Sequence, residues 1–228
     1  MDIIYEDNHL IAINKKAGEI VQGDKSGDTP LSELLKLFIK QRDNKPGNVY
    51  CGVIHRIDRP VSGVVLFAKT SKALSRMNQA VKERRIDKCY WALCKEAPTK
   101  PAGHLEDWLL RNEAKNKSFV VREGTPGAKL AVLDYRELGE TRGGYHLLEV
   151  DLHTGRHHQI RAQLSNMGSP IKGDLKYGAQ RSNPDGSISL HARSISFIHP
   201  VSKQPLTITA PVPNDGIWQS VNGQENKQ

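Results

Sequence analysis

A single carboxylate, Asp58, stands among basic side chains in the run His55-Arg56-Ile57-Asp58-Arg59-Pro60-Val61-Ser62-Gly63. Opposite charge nearby lowers an acid's pKa, so Asp58 is expected to stay ionised. Pro60 and Gly63 mark a tight turn, and loops on rigid scaffolds are where function concentrates. The same residues also suit a turn whose Asp58 bonds its own backbone. A second cluster, Leu152-His153-Thr154-Gly155-Arg156-His157-His158-Gln159-Ile160-Arg161, falls where a strand runs into a helix. Free N–H groups and the dipole at a helix N-terminus favour anions, so His and Arg gathered there point to phosphate contact. His153 and His157 are four apart and raise the question of a metal. No Cys, Asp or Glu stands beside them at ligand spacing, and no metal is expected. The third segment, Lys88 to Leu93, alternates Tyr90 and Ala92 against Trp91 and Leu93. An aromatic on the face away from the core could stack on a base, although a Tyr half-buried in a sheet is the commoner case.

These residues need a scaffold, and 228 residues suffice for a core without staples. The excess of 33 Lys and Arg over 25 Asp and Glu leaves a net charge of +8, which directs attention to polyanionic partners, above all nucleic acid. No apolar run approaches the ~18 residues that span a bilayer, and Met1-Asp2-Ile3-Ile4-Tyr5-Glu6-Asp7 lacks the pattern of a secretion signal. Three cysteines, Cys51, Cys89 and Cys94, are an odd number without metal spacing, so no disulfide framework is expected. A cytoplasmic protein without membrane contact is the expectation.

Short apolar runs at Ile3 to Tyr5 and Leu10 to Ile13, separated by Glu6-Asp7-Asn8-His9, predict a hairpin. Thr29 as N-cap and Pro30 at the first position predict a helix burying Leu31, Leu34, Leu35 and Phe38, followed by a loop over 41–48. Val64 to Ala68 predicts a buried strand. Ser71 is then expected to cap a helix with Ala73, Leu74, Met77, Ala80 and Val81 inward and Lys72, Arg76, Lys82, Arg84 and Arg85 in solvent. Strands are predicted over 89–94, 104–110, 119–121, 129–138 and 145–152, with closing strands at 188–198 and 206–209. A third helix is expected from near His157 to Gly168, burying Ile160, Leu164 and Met167. The whole predicts one α+β domain over 1–218, a mainly antiparallel mixed sheet flanked by helices and loops, followed by a polar, frayed tail over 219–228.

Taken in order, the segments resemble the signature motifs of the pseudouridine synthase family often called RluA-type. Asp7 to Gly18 matches its opening motif, with Lys16 where Pro is usual. His55 to Gly63 matches its His-Arg-Leu-Asp-Arg loop, with Ile57 for Leu and Val61 for Thr. Lys88, Tyr90 and Ala92 match its Lys-x-Tyr-x-Ala strand. Thr154 to Arg161, Pro170 to Gly178 and Leu190-His191-Ala192 match the later motifs. The resemblance implies isomerisation of a uridine in tRNA or rRNA to pseudouridine, without cofactor. It implies Asp58 as catalytic carboxylate, Arg161 as its ion-pair partner, and Tyr90 stacking on the uracil as a candidate general base. Arg56 would enter the stack as the base flips out. His55, Arg59, Arg156, His158 and Gln159, with the basic helix from Lys72 to Arg85, would contact the RNA backbone. It further implies a monomer needing no protein partner and a short form without the accessory RNA-binding domain of many relatives. A non-catalytic basic RNA-binding module fits the composition equally well. A metal-assisted nuclease or phosphatase using His153, His157, His158 and Asp174 is a distant third.

Overall fold

A computed structural model of the chain describes residues 1–24 and 26–221. They form two compact units, one comprising Met1–Ile86 with Ala192–Pro211, the other Asp87–His191 with the stretch from Val212. The elements are those of an α+β fold with a mainly antiparallel sheet, as expected.

In the first unit β1 (Ile3–Glu6) and β2 (Leu10–Lys15) make the predicted hairpin. Asp7 closes it, one carboxylate oxygen accepting the N–H groups of His9 and Leu10 at 2.7 Å each. β3 (Gly52–Val53) is a short addition to the far end of β4 (Ser62–Ala68), which pairs antiparallel with β2 from Leu10↔Ala68 to Lys15↔Gly63. Every residue of β4 is buried, which explains its continuous rather than alternating apolar run. α1 (Leu31–Arg42) starts later than predicted, because Pro30 takes the cap position without a side-chain cap. The preceding chain does the work assigned to Thr29: the carbonyls of Ile20 and Val21 accept the N–H groups of Leu31 and Ser32 at 2.8 and 3.4 Å. That docking turns the buried stripe to Leu31, Leu35 and Ile39 and leaves Leu34 exposed. α2 (Ser71–Lys82) is capped by Thr70 rather than Ser71, the Thr70 hydroxyl accepting from the Ala73 N–H at 3.1 Å. Its basic side chains lie in solvent, as expected, and so does Val81.

The second unit is built on β5 (Ile86–Cys94), β6 (Ala102–Asn112), β7 (Lys117–Val121), β8 (Lys129–Glu140) and β9 (His146–Leu152), in the spatial order β5-β9-β8-β6-β7. Both faces of β5 are covered: Tyr90 and Ala92 are as buried as Trp91 and Leu93, so alternation does not expose one side. Trp91 and Leu93 pack with Leu147, Trp218 and Val221. α3 spans Gln159–Asn166, two residues inside the predicted start, and Met167 follows it only half-buried. Back in the first unit, β10 (Leu190–Ile198) and β11 (Pro205–Thr209) pair antiparallel from Ser194↔Thr209 to Ile198↔Pro205 as the predicted closing strands. α4 (Gly216–Gln219), capped by Asp215, together with the fully buried Val221, corrects the expectation of fraying from Gln219 onward. Positions 222–228 of the expected tail lie outside the described residues. Among the described residues no helix is long and apolar enough to cross a membrane.

Candidate active site

The Asp58 turn alternates anchors and tips. Ile57 and Val61 are buried, Arg56 and Arg59 are exposed, and Asp58 stands half-buried between them. The two departures from the family loop, Ile57 and Val61, are thus the residues that pin it, where an apolar side chain is at no disadvantage. The Asp58 carbonyl accepts the Val61 N–H at 3.0 Å and closes the turn. Beneath it lies a side chain that sequence reasoning passed over. Lys15, 1% exposed, donates from Nζ to the carbonyls of Lys16, Arg59 and Val61 at 2.8, 3.1 and 2.7 Å. Burial pushes its ammonium down to about 8, while the charges of Glu19 and Asp58 act to retain the proton. Three acceptors need three donors, which only the protonated amine has.

The Gly18 N–H adds a further bond to the Arg59 carbonyl at 2.8 Å. Lys16, standing where the family has Pro, gives its N–H to the Glu19 carboxylate at 2.8 Å, so a hydrogen bond supplies the turn constraint a ring would. Gly63 has φ +114°, and a Cβ there would lie 2.3 Å from the Ala192 carbonyl oxygen. Only glycine fits. Of the expected RNA contacts in this turn, Arg56 is exposed, whereas Arg59 pairs with Asp28 at 2.6 Å. The His55 ring accepts the Leu66 N–H through Nε2 at 3.2 Å, which fixes it against β4.

In the second unit the Thr154–Arg161 segment is held from inside. The Gln159 amide oxygen accepts from the Thr154 hydroxyl and the Arg156 N–H at 2.8 and 3.0 Å, and its nitrogen donates to the Val132 carbonyl at 3.1 Å. His158 occupies the left-handed region at φ 53°, which turns its ring inward to stack on His157 at 3.8 Å and to bond the Tyr177 hydroxyl at 3.1 Å. Both His158 and Gln159, expected as RNA contacts, are thus buried and bonded within the fold. Arg156 donates from Nε to the Leu130 carbonyl but is half-exposed.

Arg161 is 5% exposed and forms a two-bond fork with Asp174, Nε to Oδ2 at 2.6 Å and Nη2 to Oδ1 at 2.9 Å. Tyr90 sits in β5, opposite Val150 of β9. The suggested metal ligands are dispersed: His153 pairs with Asp134, His157 with Asn116 and Ser118, Asp174 with Arg161. No group of three His, Cys, Asp or Glu able to hold a metal exists among the described residues.

Burial pushes the His158 pKa down to about 2, helped by the charge of the nearby Arg161. In the unfolded chain a histidine takes its proton near 6.5. As the pH falls below that value the unfolded state gains a proton that the folded state refuses, so stability declines toward acid. His158→Asn, which tolerates the left-handed backbone but does not titrate, is expected to lower Tm at pH 7 by loss of the Tyr177 bond. The gap to wild type should narrow at pH 5. A gap that widens in calorimetry would show that His158 is protonated in the folded protein.

A family profile described as RNA pseudouridylate synthase matches residues 9–166. An uncharacterized RNA pseudouridine synthase of Synechocystis sp. is 34% identical over 93% of this chain and 66% of its own length. Ribosomal large subunit pseudouridine synthase D of Xanthomonas campestris is 31% identical, covering 94% and 67%. tRNA pseudouridine synthase C of Pectobacterium carotovorum is 31% identical, covering 97% and 61%. The chain therefore spans about two thirds of the length of these relatives. Among solved structures, human RNA Pseudouridylate Synthase Domain Containing 4 has the same fold, with a TM-score of 0.79 at 23% identity, covering 98% of this chain and 92% of that one.

Proposed function

The chain belongs to the RNA pseudouridylate synthase family, and from that premise we propose that it isomerises a uridine of a structured tRNA or rRNA to pseudouridine, with Asp58 as the catalytic carboxylate. The glycosidic N1–C1′ bond breaks, the uracil turns, and C5 bonds to C1′, with no atom gained or lost. The observation that carries this reading is the Asp58 turn. Its backbone is clamped by a buried ammonium through two carbonyls, those of Arg59 and Val61, so the carboxylate is presented on a rigid support. Arg161 and Tyr90 take the roles the resemblance gives them. Exposed Arg56, half-exposed Arg156 and the basic face of α2 supply phosphate contacts.

A short stem-loop with one uridine in its loop is the expected minimal substrate, because an unpaired base costs little to extract whereas a paired one costs a few kcal/mol. The test incubates purified protein with small RNA and rRNA fragments in the presence of a chelator and maps the modified sites. Activity only on intact ribosomal subunits, or only with added metal, sinks the reading of the substrate. Contact with about four to eight phosphates gives log K a salt slope of about −3 to −6.

Tyr90→Phe separates stacking from proton transfer. The ring remains but the hydroxyl is gone, so a general-base role predicts turnover slower by about a hundredfold or more at normal RNA affinity. Equal losses of binding and rate reject that role.

A further inference from the structure

We propose that Asp174 is a positioning residue for the reaction, acting through Arg161; the inference rests on the functional reading above. The fork between them is nearly sealed, the Asp174 side chain being 1% and that of Arg161 6% exposed. Two parallel bonds from a planar guanidinium set its plane as well as its place. Two of the five N–H donors are committed to Asp174, and the rigid geometry of the group then fixes the direction of the others. A lysine or a singly bonded arginine has no such constraint.

Asp174 is itself fixed. Its N–H donates to the Ile171 carbonyl, and its carbonyl accepts the N–H groups of Tyr177 and Ala179, each at 3.0 Å. Gly173 before it has φ +88°, and a Cβ there would meet Asn183 and the Ser187 carbonyl at 2.8 Å. The turn that aims the carboxylate therefore admits no side chain at that point. The Tyr177 ring lies 5.1 Å from the Arg161 guanidinium carbon. Its hydroxyl accepts the Ser118 N–H at 2.8 Å and donates to the Ser118 carbonyl at 3.1 Å, so the ring cannot swing away. Arg161 is thus held edge-on by a carboxylate and face-on by an aromatic ring, both tied to backbone.

Asparagine at 174 keeps the shape but turns an NH2 toward one of the two guanidinium donors, so one bond of the fork must be lost. Asp174→Asn is expected to lower the single-turnover rate by about a hundredfold, as a misaimed group does. Its Kd for a substrate stem-loop should stay within about threefold of wild type, since no phosphate contact is touched. In an Arg161→Lys background the same change should cost less than about threefold more, because residues acting through one another are not additive. Asp174→Glu, which retains the charge, should recover part of the rate.

A folded Asp174→Asn protein at wild-type rate overturns the inference, as does a full additional loss in the Arg161→Lys background. Failure of both Asp174 variants to fold overturns it too, by making the residue structural. A wild-type protein inactive on every RNA overturns the functional reading instead.

Discussion

Asp58→Asn is expected to abolish pseudouridine formation, with a rate loss on the order of a thousandfold or more, and to leave RNA affinity within about threefold of wild type. The amide has the size of the carboxylate but neither its charge nor its nucleophilicity. The turn should survive, because it is secured through backbone atoms: the Asp58 carbonyl to the Val61 N–H, and the Arg59 and Val61 carbonyls to Lys15. Single-turnover conversion of a uridine-labelled stem-loop, alongside a binding isotherm, separates the two quantities. Activity within tenfold of wild type would sink the assignment of Asp58 and favour a basic RNA-binding module, for which this carboxylate is dispensable.

Arg161→Met is expected to cost about 3–5 kcal/mol of stability, the usual penalty for breaking a buried pair from one side. For a chain of this size that corresponds to a Tm lower by about 6–20 °C. The reason is Asp174, which stays 1% exposed and loses both bonds of its fork. Replacing both residues by apolar ones of similar volume should recover much of the loss, since no buried charge is then left without its partner. Thermal unfolding followed by circular dichroism decides it. A Tm shift below about 2 °C refutes the buried pair, and rates measured well below Tm then report on Arg161 in the reaction alone.

The sequence made the strands and the reacting turn legible where pattern and burial coincide. β4 reads from its apolar run, α2 from its period, and the Asp58 turn from Pro60 and Gly63. What it hid are contacts made across long separations. Lys15 at the end of an apolar strand reads as a surface cation, and only the fold brings the Arg59 and Val61 carbonyls to it. Asp174 is thirteen positions from Arg161, and nothing local marks the two as a pair. Thr29 had the right chemistry for a cap but lost to the Ile20 and Val21 carbonyls. Nothing local marks His158 and Gln159 as buried; a left-handed residue just before α3 is not legible in the sequence.

Lys15 also ties the reacting turn to the order in which the chain assembles. It is the last residue of β2 and pairs with Gly63 of β4, forty-eight positions away, so its ammonium reaches the Arg59 and Val61 carbonyls only when that pairing is in register. A slip of one residue would send Lys15 to the opposite face of the strand. Local contacts form first and distant strand pairs later, so the clamping of the turn is among the late events of folding, and a peptide spanning His55 to Gly63 lacks the ammonium that holds it. Recovery of activity during refolding should therefore trail recovery of helix signal, and a mispaired chain would retain its strands while its carboxylate points nowhere useful.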